Sequence, residues 1–133
     1  MKKRNGFTLV ELLAVIVILA IILVIAVPSI MSTIKDARKA SFESSAKLLA
    51  SNAETYWLTQ QTLGKELPAS VACTAVASLG SDYDTSASNC TITLSDKGAA
   101  TVTLKGADGG KFAGCTVNGA TKSSANATGG NCE

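Results

Sequence analysis

The sequence predicts an α+β chain: a long N-terminal α-helical spine, apolar in its first half and amphipathic in its second, packed by that second half against a small antiparallel β-sheet head. Three observations predict it. Sixteen consecutive apolar residues run from Leu12 to Val27, apolar residues then recur at three- and four-residue steps as far as Trp57, and after Pro68 short alternating runs are separated by turn residues. A length of 133 residues suits one folded domain, yet 19 of the 21 residues from Phe7 to Val27 are hydrophobic, so the rest is short of large core side chains. The absence of histidine excludes imidazole acid–base catalysis, a His-based triad and His metal ligands. The net charge of +2 depends on Lys2, Lys3 and Arg4, so charge does not mark a nucleic-acid-binding protein.

As a helix, Phe7 to Val27 would be about 32 Å long at ~1.5 Å per residue, enough to span a bilayer. The basic head Met1 to Gly6 places the N-terminus in the cytoplasm and the residues after Pro28 outside. A cleaved secretory signal is the rival reading. Its apolar region usually has about 7 to 15 residues followed by a small-residue cleavage site, whereas this run is longer and offers small residues only around Ala26. Glu11 is the anomaly, because a carboxylate at the centre of a membrane helix costs about 2.5 to 3.5 kcal/mol and persists when it finds a partner. Near the helix start the positive helix end softens that cost. A cut after Gly6 would create an amine on Phe7, four residues before Glu11 and on the same helix face.

The run Lys3-Arg-Asn-Gly-Phe-Thr-Leu-Val-Glu-Leu-Leu13, followed by an apolar stretch and Pro28, resembles the N-terminus of a type IV prepilin or a related pseudopilin. The resemblance covers about the first 55 residues. It implies a pilin fold, a leader peptide of residues 1–6 removed by a prepilin peptidase after Gly6, and N-methylation of Phe7. It also implies that Glu11 pairs with the amine of a neighbouring subunit and sets register during filament growth. Many members have a glycine eight residues before the proline, in a stretch that unwinds in the filament; this chain has Ala20 there. Pro28 is expected to break or weaken the helix locally.

Residues 7–28 are thus expected to form the membrane and filament-core helix, and residues 29–133 the globular head. The head opens with an amphipathic helix at 29–61, on which Ile30, Ile34, Ala37, Phe42, Ser45, Leu48, Leu49, Ala53, Tyr56 and Trp57 share the apolar face. Charges from Lys35 to Glu54 occupy the other faces, and Gly64 and Pro68 end the helix. A spine from Phe7 to about Gln61 would be about 80 Å long, far beyond the ~14 Å radius of gyration of a compact chain this size. Its first half must therefore be buried in lipid or in other copies.

A loop at 62–90 is expected to lead into a three-stranded meander built from Thr91–Leu94, Thr101–Leu104 and Phe112–Val117, with room for one further edge strand. Ile92, Leu94, Val102 and Leu104 would face inward beside Phe42, Tyr56, Trp57 and Phe112. Cys73, Cys90, Cys115 and Cys132 all fall in this head without a Cys-x-x-Cys, which argues for structural disulfides in an oxidising compartment. Three pairings are possible; Cys73 with Cys90 and Cys115 with Cys132 are favoured because they close similar loops, worth about 3 kcal/mol each by chain entropy. The second also resembles the C-terminal disulfide-bounded loop of many type IV pilins.

No catalytic residue, cofactor or metal is expected. A phosphate loop around Gly110-Lys111 fails at Lys105 and Phe112, and a calcium loop beginning at Asp82 fails at Ala87 and Thr93. The expected protein is a non-enzymatic subunit, first a single-pass cytoplasmic-membrane precursor and then part of a surface filament, serving adhesion, motility, aggregation or DNA uptake. Its expected partners are copies of itself in a helical homopolymer, the prepilin peptidase, the inner-membrane pilus assembly machinery and minor pilins, with DNA or a host surface reached through the filament. The alternative is a major-type pseudopilin of a type II secretion or competence system. A secreted or membrane-anchored disulfide-rich binding protein leaves Gly6, Glu11 and the amphipathic helix without a role.

Overall fold

The computed structural model of the protein describes residues 6–133; Lys2, Lys3 and Arg4, and all of the expected leader except Gly6, lie outside the described residues. A long helix, α1, runs Leu9–Thr62 and is followed by a small antiparallel sheet, the α+β arrangement of the pilin fold. The expected break at Pro28 is not there: α1 includes Pro28 in its interior. A proline removes one N–H, here the donor to the Val24 carbonyl, and the hydrogen bonds on either side carry the helix past it.

The chain forms two units, Met1–Ile34 and Lys35–Glu133. Among the described residues of the first, none is buried. The second holds the core. Here α1 buries Phe42, Ala46, Leu49, Ala50, Ala53 and Trp57, one stripe at three- and four-residue spacing. Leu48 is a correction, being 60% exposed, because at ~100° per residue it points about 150° from the stripe's centre. Ala37 is also exposed, and Tyr56, on the stripe's flank, stays outside the core. Ala46 and Ala50 lie on the stripe instead and are fully buried. Tyr83 takes the place expected of Tyr56: its ring stacks on Phe42 at 5.8 Å and its hydroxyl lies 2.6 Å from that of Ser45.

The helix stops where Gly64 takes φ +64. Gly64 N–H donates to the Gln61 carbonyl and Lys65 N–H to the Gln60 carbonyl, the paired bonds that close a helix C-terminus around a left-handed residue. The expected loop at 62–90 is a second correction, because it contains β1 (Ser70–Ala72), the single helical turn α2 (Cys73–Val76) and β2 (Tyr83–Asp84). They are followed by β3 (Cys90–Leu94), β4 (Ala100–Gly106), β5 (Thr116–Ala120) and β6 (Ala127–Thr128). The sheet order is β1-β3-β4-β5-β6, with β2 also paired to β4, all antiparallel. In β3 and β4 the period-2 alternation turns Ile92, Leu94, Val102 and Leu104 inward.

The strand expected at Phe112–Val117 lies later, at Thr116–Ala120. Residues 111–114 form a turn, with Ala113 N–H donating to Gly110 and Cys115 N–H to Phe112, and this turn tucks Phe112 against Phe42 and Tyr83. Opposite the single residue Thr103, β5 carries two, Asn118 and Gly119, a bulge with Gly119 at φ +70. The bulge lets Val117 and Ala120, three residues apart, both face the core.

Three polar side chains of α1 bond the backbone of the head. Ala127 N–H donates to Glu43 Oε1 at 2.9 Å, Ala100 N–H to Glu54 Oε1 at 3.4 Å, and Asn52 Nδ2 to the Val76 carbonyl at 3.3 Å. Cys73 is joined to Cys90 and Cys115 to Cys132. Between Cys115 and Cys132 the core receives only Val117, Ala120 and Ala127, so the cross-link replaces burial there. Replacing both Cys115 and Cys132 by serine is expected to cost about 3 kcal/mol, read as a lowered urea midpoint. An unchanged midpoint would show that the loop holds without the bond.

Candidate functional site

The helix begins with a reciprocal pair of hydrogen bonds. Thr8 N–H donates to Glu11 Oε2 at 2.9 Å, and Glu11 N–H donates to Thr8 Oγ1 at 3.2 Å. Thr8 is therefore the N-cap and Glu11 the third helical residue of a capping box, and the first helical bond runs from Leu12 N–H to the Thr8 carbonyl at 3.2 Å. The box leaves Gly6, Phe7 and Thr8 outside the helix. Phe7 is 91% exposed. Thr8 was not legible as a site residue from the apolar pattern alone; the signal that could have found it is the Thr-x-x-Glu spacing directly before an apolar run.

On either side of the box, Phe7, Leu12, Val15 and Ile16 line an open apolar trough in which Glu11 is the one charged residue. The same side of the helix therefore offers apolar surface and a single carboxylate. An 18-residue window of α1 has a mean hydropathy of 3.4, and the helix is long and apolar enough to cross a membrane. From Phe7 to Ile34 Glu11 is the only charged residue.

Residues 1–27 match the family described as the prokaryotic N-terminal methylation motif. The chain carries the type IV prepilin signature. No curated protein matches the chain, and no solved structure does. A prepilin signature implies processing by a prepilin peptidase and polymerisation into filaments, points to a structural subunit and not an enzyme, and fits a membrane-anchored precursor. Within the signature, Gly6 and Phe7 form the non-helical approach to α1, Glu11 closes the capping box, and Ala20 lies inside the continuous helix.

The other polar cluster is in the head. Asp82 accepts the Lys111 N–H at 3.2 Å and pairs with Lys111 Nζ at 3.4 Å. Asp84 accepts the Ser86 N–H at 3.0 Å and the Asn89 side-chain amide at 2.7 Å. Both carboxylates thus serve the chain's own donors. The Ser86 hydroxyl and N–H, then Asn89, hold the Asp84 carboxyl below the usual aspartate range. Because the folded value is the depressed one, its contribution is present above about pH 4 and is lost as pH falls further. The gap in urea midpoint between the protein and an Asp84→Ala variant is therefore expected to shrink between pH 6 and pH 3. A gap independent of pH would remove Asp84 as its source.

Proposed function

We propose that the protein is the structural subunit of a type IV pilus, cut after Gly6, methylated on Phe7 and polymerised through its N-terminal helix. The observation that carries this is the contrast along α1. Every buried residue of the helix lies between Phe42 and Trp57, while the large apolar side chains from Phe7 to Ile34 are exposed around a single carboxylate. Lipid covers such a surface in the precursor, and the same surface on other copies covers it in a filament.

Glu11 then has a defined task. One carboxylate oxygen, Oε2, is held by its own Thr8 N–H; the other is available to a cation. The amine that cleavage creates on Phe7 is the matching cation, supplied by a neighbour that has entered at the correct axial offset. A subunit out of register leaves both charges in an apolar setting, so the pair selects register. Prepilin peptidase, the inner-membrane assembly machinery and minor pilins are the partners this route needs, and DNA or a host surface would be met by the polymer through many weak contacts.

N-terminal peptide mass spectrometry on protein sheared from native cells tests the reading. A species that begins at Phe7 with one added methyl group, recovered in the sheared fraction, supports it. A start near Ala26 points to signal-peptide secretion and an intact Met1 to a plain anchor, and either result overturns it.

A further inference from the structure

We propose that Lys35, Arg38 and Lys39 form a basic collar that seats the acidic head of a neighbouring copy; the proposal rests on the filament reading above. The stripe of α1 that is apolar from Phe42 to Trp57 continues toward the N-terminus as Arg38, Lys39 and Lys35. At ~100° per residue these three fall within about 70° of the stripe's centre, whereas Asp36 stands about 90° aside. The face that the helix turns to its own head is thus apolar where the head covers it and cationic in the two turns before. Lys35 is exposed, and Arg38 and Lys39 are half-buried.

The collar has no ion-pair partner among the described residues. Among the described residues the ion pairs are Lys111 with Asp82 and Lys122 with Glu54. Beyond Lys39 the chain has six basic and eight acidic residues, so the head is net acidic where the collar is net basic. Four of those acids are engaged internally: Glu43, Glu54, Asp82 and Asp84 each accept donors from the head. Glu66, Asp96, Asp108 and Glu133 are exposed, lie in connecting segments, on turns or at the last residue, and enter neither ion pair. They are the carboxylates a second copy can offer. Copies gathered side by side by their apolar stems present those acids to each other's collars at high effective concentration, so weak individual pairs suffice.

The test is charge reversal in the full-length chain, Lys35→Glu with Arg38→Glu, beside the neutral pair Lys35→Gln with Arg38→Gln. Processed subunit starting at Phe7 is measured in membranes and filament in the sheared fraction. The reversed variant is expected to keep wild-type levels of processed subunit and an unchanged urea midpoint while sheared filament falls at least tenfold, with a smaller fall for the neutral pair. One of Glu66→Lys, Asp96→Lys, Asp108→Lys or Glu133→Lys, added to the reversed collar, is expected to restore filament to within about threefold of wild type. Unchanged filament, or no restoring partner, overturns the collar. Loss of the reversed subunit from membranes would assign these residues to anionic lipid headgroups and also overturns it. Absence of filaments from wild-type cells refutes the filament reading itself, and the collar with it.

Discussion

Glu11→Ala is expected to leave a cleaved, membrane-held subunit and to lower sheared filament by more than a hundredfold. The variant would leave an incoming subunit's ammonium in an apolar setting with no counter-charge, and losing one partner of a buried pair costs about 3–5 kcal/mol. At about 1.4 kcal/mol per tenfold, that is more than two powers of ten in the stability of each subunit contact. The alanine also opens the capping box, since it takes away the Oε2 that accepts the Thr8 N–H. Glu11→Gln separates the two roles, because glutamine keeps a capping oxygen and lacks the charge. If the pairing sets register, the glutamine variant fails nearly as badly as alanine. Wild-type filament from Glu11→Gln would reduce Glu11 to a helix cap, and wild-type filament from the alanine would remove it from assembly altogether.

Phe42→Ala is expected to destabilise the head by about 3–5 kcal/mol, a large share of the roughly 5–15 kcal/mol that holds a typical domain folded. Phe42 is fully buried and touches the two other rings of its cluster, with centroids 5.8 Å from Tyr83 and 5.2 Å from Phe112. The segment that carries Tyr83 and the turn that carries Phe112 meet on this ring, so its loss removes the ring contact of both and leaves Tyr83 only its hydroxyl contact with Ser45. Urea unfolding followed by Trp57 fluorescence measures the change. Leu48→Ala is the internal comparison: a leucine of the same helix, 60% exposed, it should move stability by no more than about 0.5 kcal/mol. Equal losses at the two positions would mean that the helix docks through a different face.

The helix and its stop at Gly64 are legible in the sequence because each rests on a strong local signal: a long apolar run, a helical period, and glycine where a left-handed residue is needed. The break expected at Pro28 is absent because one missing N–H does not end a helix. Strands β3 and β4 were legible for the same reason, with five and seven alternating residues each. Legibility failed where the elements are too short to show a period. Strands β1, β2 and β6 have three, two and two residues and exist through pairing with β3, β4 and β5. Phe112 misled because hydrophobicity marks burial without saying whether a strand or a turn delivers the side chain. Leu48 misled in the opposite direction, and Ala46 and Ala50 carry too weak a hydrophobic signal to mark them as core, although both are fully buried. At the candidate site Gly6, Phe7 and Glu11 were read from a motif, whereas Thr8 acts through its hydroxyl and N–H in a bond that only the capping geometry reveals.

The contacts of Glu43, Asn52 and Glu54 carry a consequence for how the protein can change. Each reaches a main-chain N–H or carbonyl, at Ala127, Ala100 and Val76, in three separate segments of the head. A main-chain group is the same whichever residue other than proline supplies it, so these attachments ignore the identity of the side chains they hold. The outward positions of the sheet and its turns can accordingly be rewritten with little penalty to docking. In the proposed filament, a surface repeated in many copies would thereby be free to diversify while the helix keeps hold of an unchanged backbone.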